Sequence, residues 1–529
     1  MSNPKDILFA EEAREKLRKG IDTLAEVVSV TIGPKGRNVG LQSFGTPTIT
    51  NDGNSIVKEI DLKDPYENMG VAFGKEVASK IKEKCGDGTT TGILLLRSLV
   101  QGGIKNISSG SSPIYIKRGM EKALELVLAE INSMAVPVKG EKETQNIATV
   151  SASGNVEIGE KIAQCFHKVG KDGVIIIEEG KGTETVIELV EGMELDRGYI
   201  SPYLCTNMEK MNIEMQNAHV LITDKKISTV HDILNILQHV ASVGKELLII
   251  ADDIEGDALS ALVINKLRGT LKVAAIKAPG FGDQRKALLE DIAVLTKGVV
   301  ITEEKGLNLR DATVDLLGSV EKLVVTKDKT TIVNGKGDPK EIGKRIAQID
   351  EEIKQSTNPY DKEKLEQRKA KLKGGVAVLR IGAPTEPEMK QKKQMFEDSL
   401  SSTRAALEDG IVPGGGIALL RASKIVSGTK FSLDEALGAD ILIRACEAPC
   451  RQIIYNSGKD NGSVIIEEIL RGSKNMGFNV VSDKVEDLLK AGVVDPVKVV
   501  KNCLIHAVSV AGIVILSEVL ISDAEEEQA

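Results

Sequence analysis

Apolar positions near the start of the chain fall on a helical period. Phe9, Ala13, Leu17 and Ile21 recur every fourth residue, and Leu24 and Val28 extend the stripe, which predicts an amphipathic helix with one face on a core. A glycine-rich, β-leaning stretch follows (TIGPKGRNVGLQSFGTPTITNDG, 31–53). Helical periodicity resumes over Ala72–Lys84, Gly92–Gln101 and Ile114–Met134, and Pro137 closes the block. The middle of the chain has another rhythm. Short aliphatic runs at His219–Thr223, Leu247–Ala251, Val273–Lys277 and Gly298–Ile301 alternate with helical stretches Ser228–Val243, Gly256–Leu267 and Asp283–Thr296. That alternation suits right-handed βαβ crossovers and predicts an α/β domain. After Lys327 comes a charged helical hairpin, with Ile342, Ile346, Ile349 and Ile353 on one arm, NPYD at the turn, and Leu365 and Leu372 on the return. Its charge reads as a solvated face. GGVAVLRIGA (374–383) then reads as a strand and Glu386–Glu408 as a long helix. GIVPGGG (410–416) interrupts, and helices continue to about Leu520. Similar helical blocks at both ends around a different middle predict a discontinuous domain carrying an insert. Gly192 and the Gly374–Gly375 pair flank that insert, as turn residues or as hinges.

Composition narrows the function classes. At 529 residues the chain has room for several domains of about 150 residues each. Its formal charge of −8 argues against a polyanion binder. Strictly apolar runs such as Val510–Leu516 fall short of the ~18 residues a membrane span needs. The N-terminus carries no apolar signal core, so a cytoplasmic protein free of membrane and nucleic acid is the expectation. The six cysteines are scattered and are expected to be reduced thiols. Cys446 and Cys450 share a helical face, but no second ligand pair follows to complete a zinc site. The histidines form no HExxH pattern.

Three glycine-rich segments have the makings of an anion site. In CGDGTTTGILLLRSLV (85–100) the turn Gly86-Asp87-Gly88 precedes Thr89, Thr90 and Thr91 and then an apolar helix. Such a turn offers backbone N–H and hydroxyl donors to a phosphate at a helix N-terminus, or simply an N-cap. Asp87 repels a phosphate unless a cation such as Mg²⁺ lies between them. Thr31-Ile32-Gly33-Pro34-Lys35-Gly36-Arg37-Asn38 adds close backbone approach and two cations, and Gly414-Gly415-Gly416 leaves bare backbone beside a following helix. GxxxxGK[ST] is absent, and Gly280-Phe281-Gly282 lacks the third glycine of a dinucleotide fingerprint. Asp52 in an Asn-Asp-Gly turn and Asp398 in FEDSLSS are isolated acids by sequence alone.

Together these segments resemble the GroEL-type group I chaperonins. The resemblance is carried by GPKGRN (33–38), SFGTPTIT-DG (43–53), ENMG (67–70), KEVASK (75–80), GDGTTT (86–91), VEGMELDRGYISPY (190–203), DKKIS (224–228), LLIIADDIEGDAL (247–259), KVAAIKAPGFGDQRKA (272–287), GGVAVLRIGA (374–383) and AALEDGIVPGGG (405–416), where Asp409 replaces the usual glutamate. It implies a multidomain α+β/α fold. A mostly helical equatorial domain would come from 1–134 and 409–529, a small α/β intermediate domain from 135–191 and 375–408, and an apical α/β domain from 192–374. It implies ATP and Mg²⁺ as cofactors, with K⁺ as a further candidate. Thr31, Ile32, Gly33, Pro34, Asp87, Gly88, Thr89, Thr90, Thr91, Gly415, Asn479 and Asp495 would contact nucleotide, Asp87 would hold the metal, and Asp52 and Asp398 would position the attacking water. Non-native polypeptides would bind at Tyr199, Tyr203, Leu204, Leu234, Leu237, Leu259, Val263 and Ile264. Core packing is the competing reading of those apolar stripes, yet Ile233, Ile236 and Val240, and on the other helix Leu262 and Leu267, offer a second face to the core. A GroES-type co-chaperonin and a double heptameric ring of this chain are the implied partners.

The chain departs from the family in three further places. Asn51 stands where the family has lysine, which predicts slower hydrolysis, since the reaction depends on charge compensation. Val480-Val481 replaces Ala-Ala after Asn479 and is expected to tighten the base pocket. The end, DAEEEQA, lacks Gly-Gly-Met repeats. These departures suggest a divergent paralogue. They leave an ATP-driven foldase as the leading expectation and a binding-only or regulatory chaperonin as the alternative. A dinucleotide enzyme is disfavoured, because no nucleophile–base set accompanies the missing fingerprint.

Overall fold

The first helix runs Ala10–Ser29 and buries Ala13, Leu17, Ile21, Leu24 and Val28 completely, as their period requires. Phe9 departs from the stripe and is 61% exposed. It ends the strand Lys5–Phe9, which pairs antiparallel with Val519–Asp523, so strand pairing rather than the helical period sets its direction. These positions come from a computed structural model, which describes residues 4–42, 48–171, 173–180, 182–190, 192–208, 210–356, 358–373 and 375–523. Part of the SFGTPTIT block, Gly374 and the acidic end after Asp523 lie outside the described residues.

The chain divides into two compact units, one of Met1–Gln164, Lys181–Glu184 and Ile381–Ala529, the other of Cys165–Gly180 and Thr185–Arg380. The segments expected to form a separate small domain are shared between them. In the first unit, helices Ala10–Ser29, Pro65–Cys85, Thr89–Ser108, Pro113–Met134, Leu433–Asn456 and Val497–Leu516 surround one aliphatic core. Val497–Leu516 has the length and hydropathy to cross a membrane. Lys498 and Lys501 interrupt its apolar sequence, which is why a search for unbroken runs passes over it. Its Cys503, Leu504, Ala507, Ala511, Val514 and Ile515 are buried in the core. Cys446 and Cys450 are buried as well, and burial pushes both thiols up to about 12, as expected of packed residues.

The second unit is built on a seven-stranded sheet. Lys272–Lys277, Glu246–Ala251 and Ile213–Thr223 run parallel, and Val300–Ile301 also pairs with the last of these. This is the expected βαβ part. The sheet then continues antiparallel through Gly318–Val325, Thr330–Gly335 and Gly192–Leu195, strands the sequence reading lacked. Gly318–Val325 buries Gly318 and Val320, then Leu323 and Val325, so its alternation shifts by one residue across Glu321 and Lys322. That break leaves no clean period of two in the sequence. The charged hairpin, Pro339–Gln355 and Pro359–Lys373, is more than a solvated face. Arg345, at 2.7 Å, and Arg368 both pair with Asp291, a fully buried acid of helix Gly282–Thr296. A buried carboxylate needs such partners, so the hairpin is tied to the helix beneath it.

Candidate functional site

Helix Pro65–Cys85 starts on a proline behind Asp64, whose carboxylate accepts from the N–H groups of Tyr66 and Glu67, each at 3.0 Å. It stops where Gly86 takes a left-handed φ of 74°, and Gly88 at φ 94° redirects the chain into Thr89–Ser108. A β-carbon on Gly88 would lie 2.6 Å from Cys503 Sγ and 2.7 Å from Val499 Cγ1. The turn is thus pressed against Val497–Leu516, with the first N–H groups of the next helix left without intrahelical acceptors.

A cavity of about 540 Å³ surrounds this turn, a size suited to a small-molecule ligand. Thr31, Ile32, Gly33, Pro34, Asp87, Gly88, Thr89, Thr90, Thr91, Gly415, Asn479 and Asp495 all line it, as do Asp52 and Asp398. Local bonds hold these segments. Asn456 Nδ2 donates to the carbonyls of Ser29 at 2.8 Å and Ile32 at 3.0 Å, pinning the Thr31–Pro34 loop. Thr31 Oγ1 lies 3.3 Å from Thr90 Oγ1. Asp52 caps the short helix Gly53–Glu59, accepting from Ser55 N–H at 2.8 Å and Ser55 Oγ at 2.6 Å. Asn479 donates to Glu486 at 2.7 Å and accepts from Val481 N–H at 3.0 Å. Asp495 is delivered by strand Val494–Pro496, which pairs with Ile411–Pro413 just before Gly415.

The charge balance of the cavity is one-sided. Four carboxylates line it, those of Asp52, Asp87, Asp398 and Asp495, and among the described residues no Lys or Arg does. Lys35 and Arg37, the cations offered by the sequence, are exposed and outside the lining. Burial pushes Asp398 up to about 7, despite the opposing pull of Lys82. Burial, helped by Asp87, lifts Asp495 to about 7. Asp87 is also raised by burial, against the N–H of Gly88, which donates to it at 2.6 Å. Such a wall accepts a polyphosphate only together with cations. Among the described residues no three His, Cys, Asp or Glu side chains converge into a metal cage. An Mg²⁺ shared between Asp87 and phosphate oxygens fits that donor set, because Mg²⁺ takes few protein carboxylates and keeps oxygen ligands from phosphate and water.

Several lining residues were absent from the sequence reading. Asn146, Thr149 and Ser151 come from helix Glu141–Ser151, and Gln391 and Gln394 from helix Glu386–Asp409. Gln391, Gln394 and Asp398 follow helical spacing, so one polar stripe was there to be found. Val480 and Val481 both line the cavity, Val480 buried with Phe478 and Leu488 and Val481 81% exposed.

The apolar candidates of the second unit also divide. Leu204 is fully buried and Leu237 is buried too, both within the core of that unit, so neither offers a binding surface. Leu204 sits in a short 3₁₀ turn, Pro202–Leu204, whose geometry sends Tyr203 outward and Leu204 inward. Leu237 follows Ile233 by one helical turn and shares its inward face with Ile236 and Val240, all buried. Tyr203 and Ile264 are exposed, and Tyr199, Leu234, Leu259 and Val263 are half-buried. Leu262 is buried, whereas Leu267 and Val243 are exposed.

The TCP-1/cpn60 chaperonin family matches residues 24–525. The chain is 63% identical over 529 residues to Chaperonin GroEL 3 of Protochlamydia amoebophila (strain UWE25), a match covering 100% of this chain and 99% of that relative. Among solved structures, the chaperonin gp146 from the bacteriophage EL 2 (Pseudomonas aeruginosa), crystallised in presence of ATP-BeFx, has the same fold. Its TM-score is 0.70 at 20% identity, over 98% of this chain and 99% of that one. A family match across nearly the whole length and a full-length relative agree with the motifs around the cavity, and the chain belongs to the TCP-1/cpn60 chaperonins as a GroEL-type group I member.

Proposed function

We propose that this chain is an ATP-driven folding chaperone. Mg²⁺-ATP binds in the cavity of the first unit, with Asp87 on the metal, the Thr89–Thr91 turn and the Thr31–Pro34 loop on the phosphates, and Asn479 and Gly415 toward the nucleoside. Asp52 and Asp398 position the attacking water. Non-native proteins bind the apolar face formed by Tyr199, Tyr203, Leu234, Leu259, Val263 and Ile264. The subunits form a double heptameric ring, closed by a GroES-type co-chaperonin and working in the cytoplasm, with each subunit using equatorial, intermediate and apical segments. The observation that carries this reading is the convergence of every expected nucleotide residue and both water-positioning acids on one cavity. Because Asn51 brings no charge to an acid-walled site, turnover is slower than in members with lysine there, and K⁺ is a candidate for part of the missing charge.

The test is single-turnover hydrolysis by the purified protein with Mg²⁺, run beside suppression of aggregation of a denatured client, with and without nucleotide and co-chaperonin. Hydrolysis that falls about 10²-fold in Asp398→Ala, with nucleotide still bound, supports the foldase. Among the described residues no basic side chain lines the cavity, which favours one second reading, a binding-only chaperonin. Client capture and nucleotide binding without measurable turnover would establish that reading instead.

A further inference from the structure

Lys82 belongs to no motif, yet its ammonium meets a carboxylate of the cavity wall. It lies in the last turn of helix Pro65–Cys85, just ahead of the Gly86-Asp87-Gly88 turn. Its ammonium pairs with Asp398 Oδ1, a contact between residues more than 300 positions apart. Gln394 Nε2, one helical turn before Asp398, donates to the same oxygen at 2.8 Å. Among the described residues no hydrogen bond to Asp398 Oδ2 is found. Two donors on one oxygen fix the carboxylate in place and leave the other oxygen available to a water. The pair is largely shielded, with side-chain exposures of 25% for Lys82 and 16% for Asp398.

An ion pair made for stability alone is the simplest alternative. Shielded pairs are poor stabilisers, because desolvation offsets most of the attraction. This one also has a setting that stability does not require. The field of Asp52 and Asp87 reaches the same ammonium, and together with Asp398 they hold it protonated against burial. Among the described residues no Lys or Arg is part of the cavity lining, and Lys82 meets the acid wall from outside it, at Asp398.

We propose that Lys82 is a positioning residue for ATP hydrolysis, holding Asp398 with Gln394 so that the free carboxylate oxygen can orient the attacking water. This rests on the nucleotide reading of the cavity given above. A water-orienting group must be held to a fraction of an ångström, and that tolerance is what the two donors supply.

Single-turnover hydrolysis and nucleotide affinity, measured on full-length assembled protein with a fluorescent ATP analogue, decide the matter. Lys82→Met and Lys82→Gln are expected to slow hydrolysis by about 10–100-fold while the nucleotide Kd stays within about 3-fold, and Lys82→Arg to recover most of the rate. In an Asp398→Asn background, Lys82→Met is expected to cost less than about 3-fold more, because its partner's role is already lost. Wild-type rates in both Lys82→Met and Lys82→Gln overturn the proposal. So do costs that multiply in full on Asp398→Asn, or a Kd that rises in step with the lost rate. Wild-type protein that binds no ATP would overturn the nucleotide reading and this assignment together, whereas active wild type with an indifferent Lys82 overturns the assignment alone.

Discussion

At the cavity of the first unit, backbone geometry sets the closest approaches. Gly86 and Gly88 adopt left-handed conformations, a side chain at Gly88 would collide with Cys503 and Val499, and a β-carbon at Gly53 would meet Thr90 Oγ1 at 2.3 Å. On helices Leu234–Val243 and Gly256–Leu267 of the other unit, left-handed glycines stand only at the helix ends, at Gly244 and Gly256, away from the outward apolar side chains. Any large apolar residue can serve on the outward face, and what matters is which way it points. The first region is suited to one ligand held by fixed polar groups, and the second to many by non-directional burial. The two should therefore answer differently to mutation: the cavity to small changes of shape or charge, the apolar face only to loss of exposed area.

The largest effect should come from mistaking core for surface. Leu204→Ala is expected to destabilise the second unit by about 2–5 kcal/mol in denaturant unfolding, as a cavity in a packed core does, whereas Tyr203→Ala, one residue away, should change stability by less than about 0.5 kcal/mol. Equal losses would erase the distinction between buried and exposed members of the face.

Next comes Asp495→Asn, read by thermal unfolding of nucleotide-free, metal-free protein across pH. The folded carboxyl titrates near 7 against an ordinary value of 3.8. Between these values the folded protein holds a proton that the unfolded chain has released, so wild-type stability falls as pH rises from about 4 to 7 and levels off above. The variant should lose Asp495's share of that slope, Asp398 keeping its own, and be more stable at pH 7.5, on the order of 1–3 kcal/mol. A parallel pH dependence in both proteins would mean that Asp495 carries no such penalty.

Ile264→Ser should weaken capture of a denatured client by about tenfold, with ATP turnover unchanged. The smallest expected change is in Asn51→Lys, which should raise turnover about 2–10-fold without altering client capture. An unchanged rate would show that the site already compensates its charge by other means.

Much of the cavity was legible because its chemistry lies in short contiguous runs. Gly86 through Thr91 carries turn, acid, hydroxyls and helix start in six consecutive letters. Lys82 was illegible for the opposite reason. It is one of many lysines, and its meaning comes from Asp398, which only tertiary folding brings beside it. The apolar face was half legible. Helical spacing located both stripes, but Leu237 and Leu262 are buried while Leu267 is exposed, because the sheet beneath decides which stripe faces in. The antiparallel half of the sheet escaped because Gly318–Val325 places Glu321 and Lys322 among its aliphatic residues and so offers no aliphatic run.

The ribbon of Lys5–Phe9 with Val519–Asp523 joins residues synthesised early to residues synthesised much later. Helix Val497–Leu516, which the core of the first unit needs, also emerges late from the ribosome. The second unit, Cys165–Gly180 with Thr185–Arg380, has all its strands much earlier. A growing chain can therefore complete its sheet while its opening helices still wait for their closing partners, and those helices must stay out of trouble throughout translation. For a protein of this family, birth itself poses the problem of an unfinished core exposed to its surroundings.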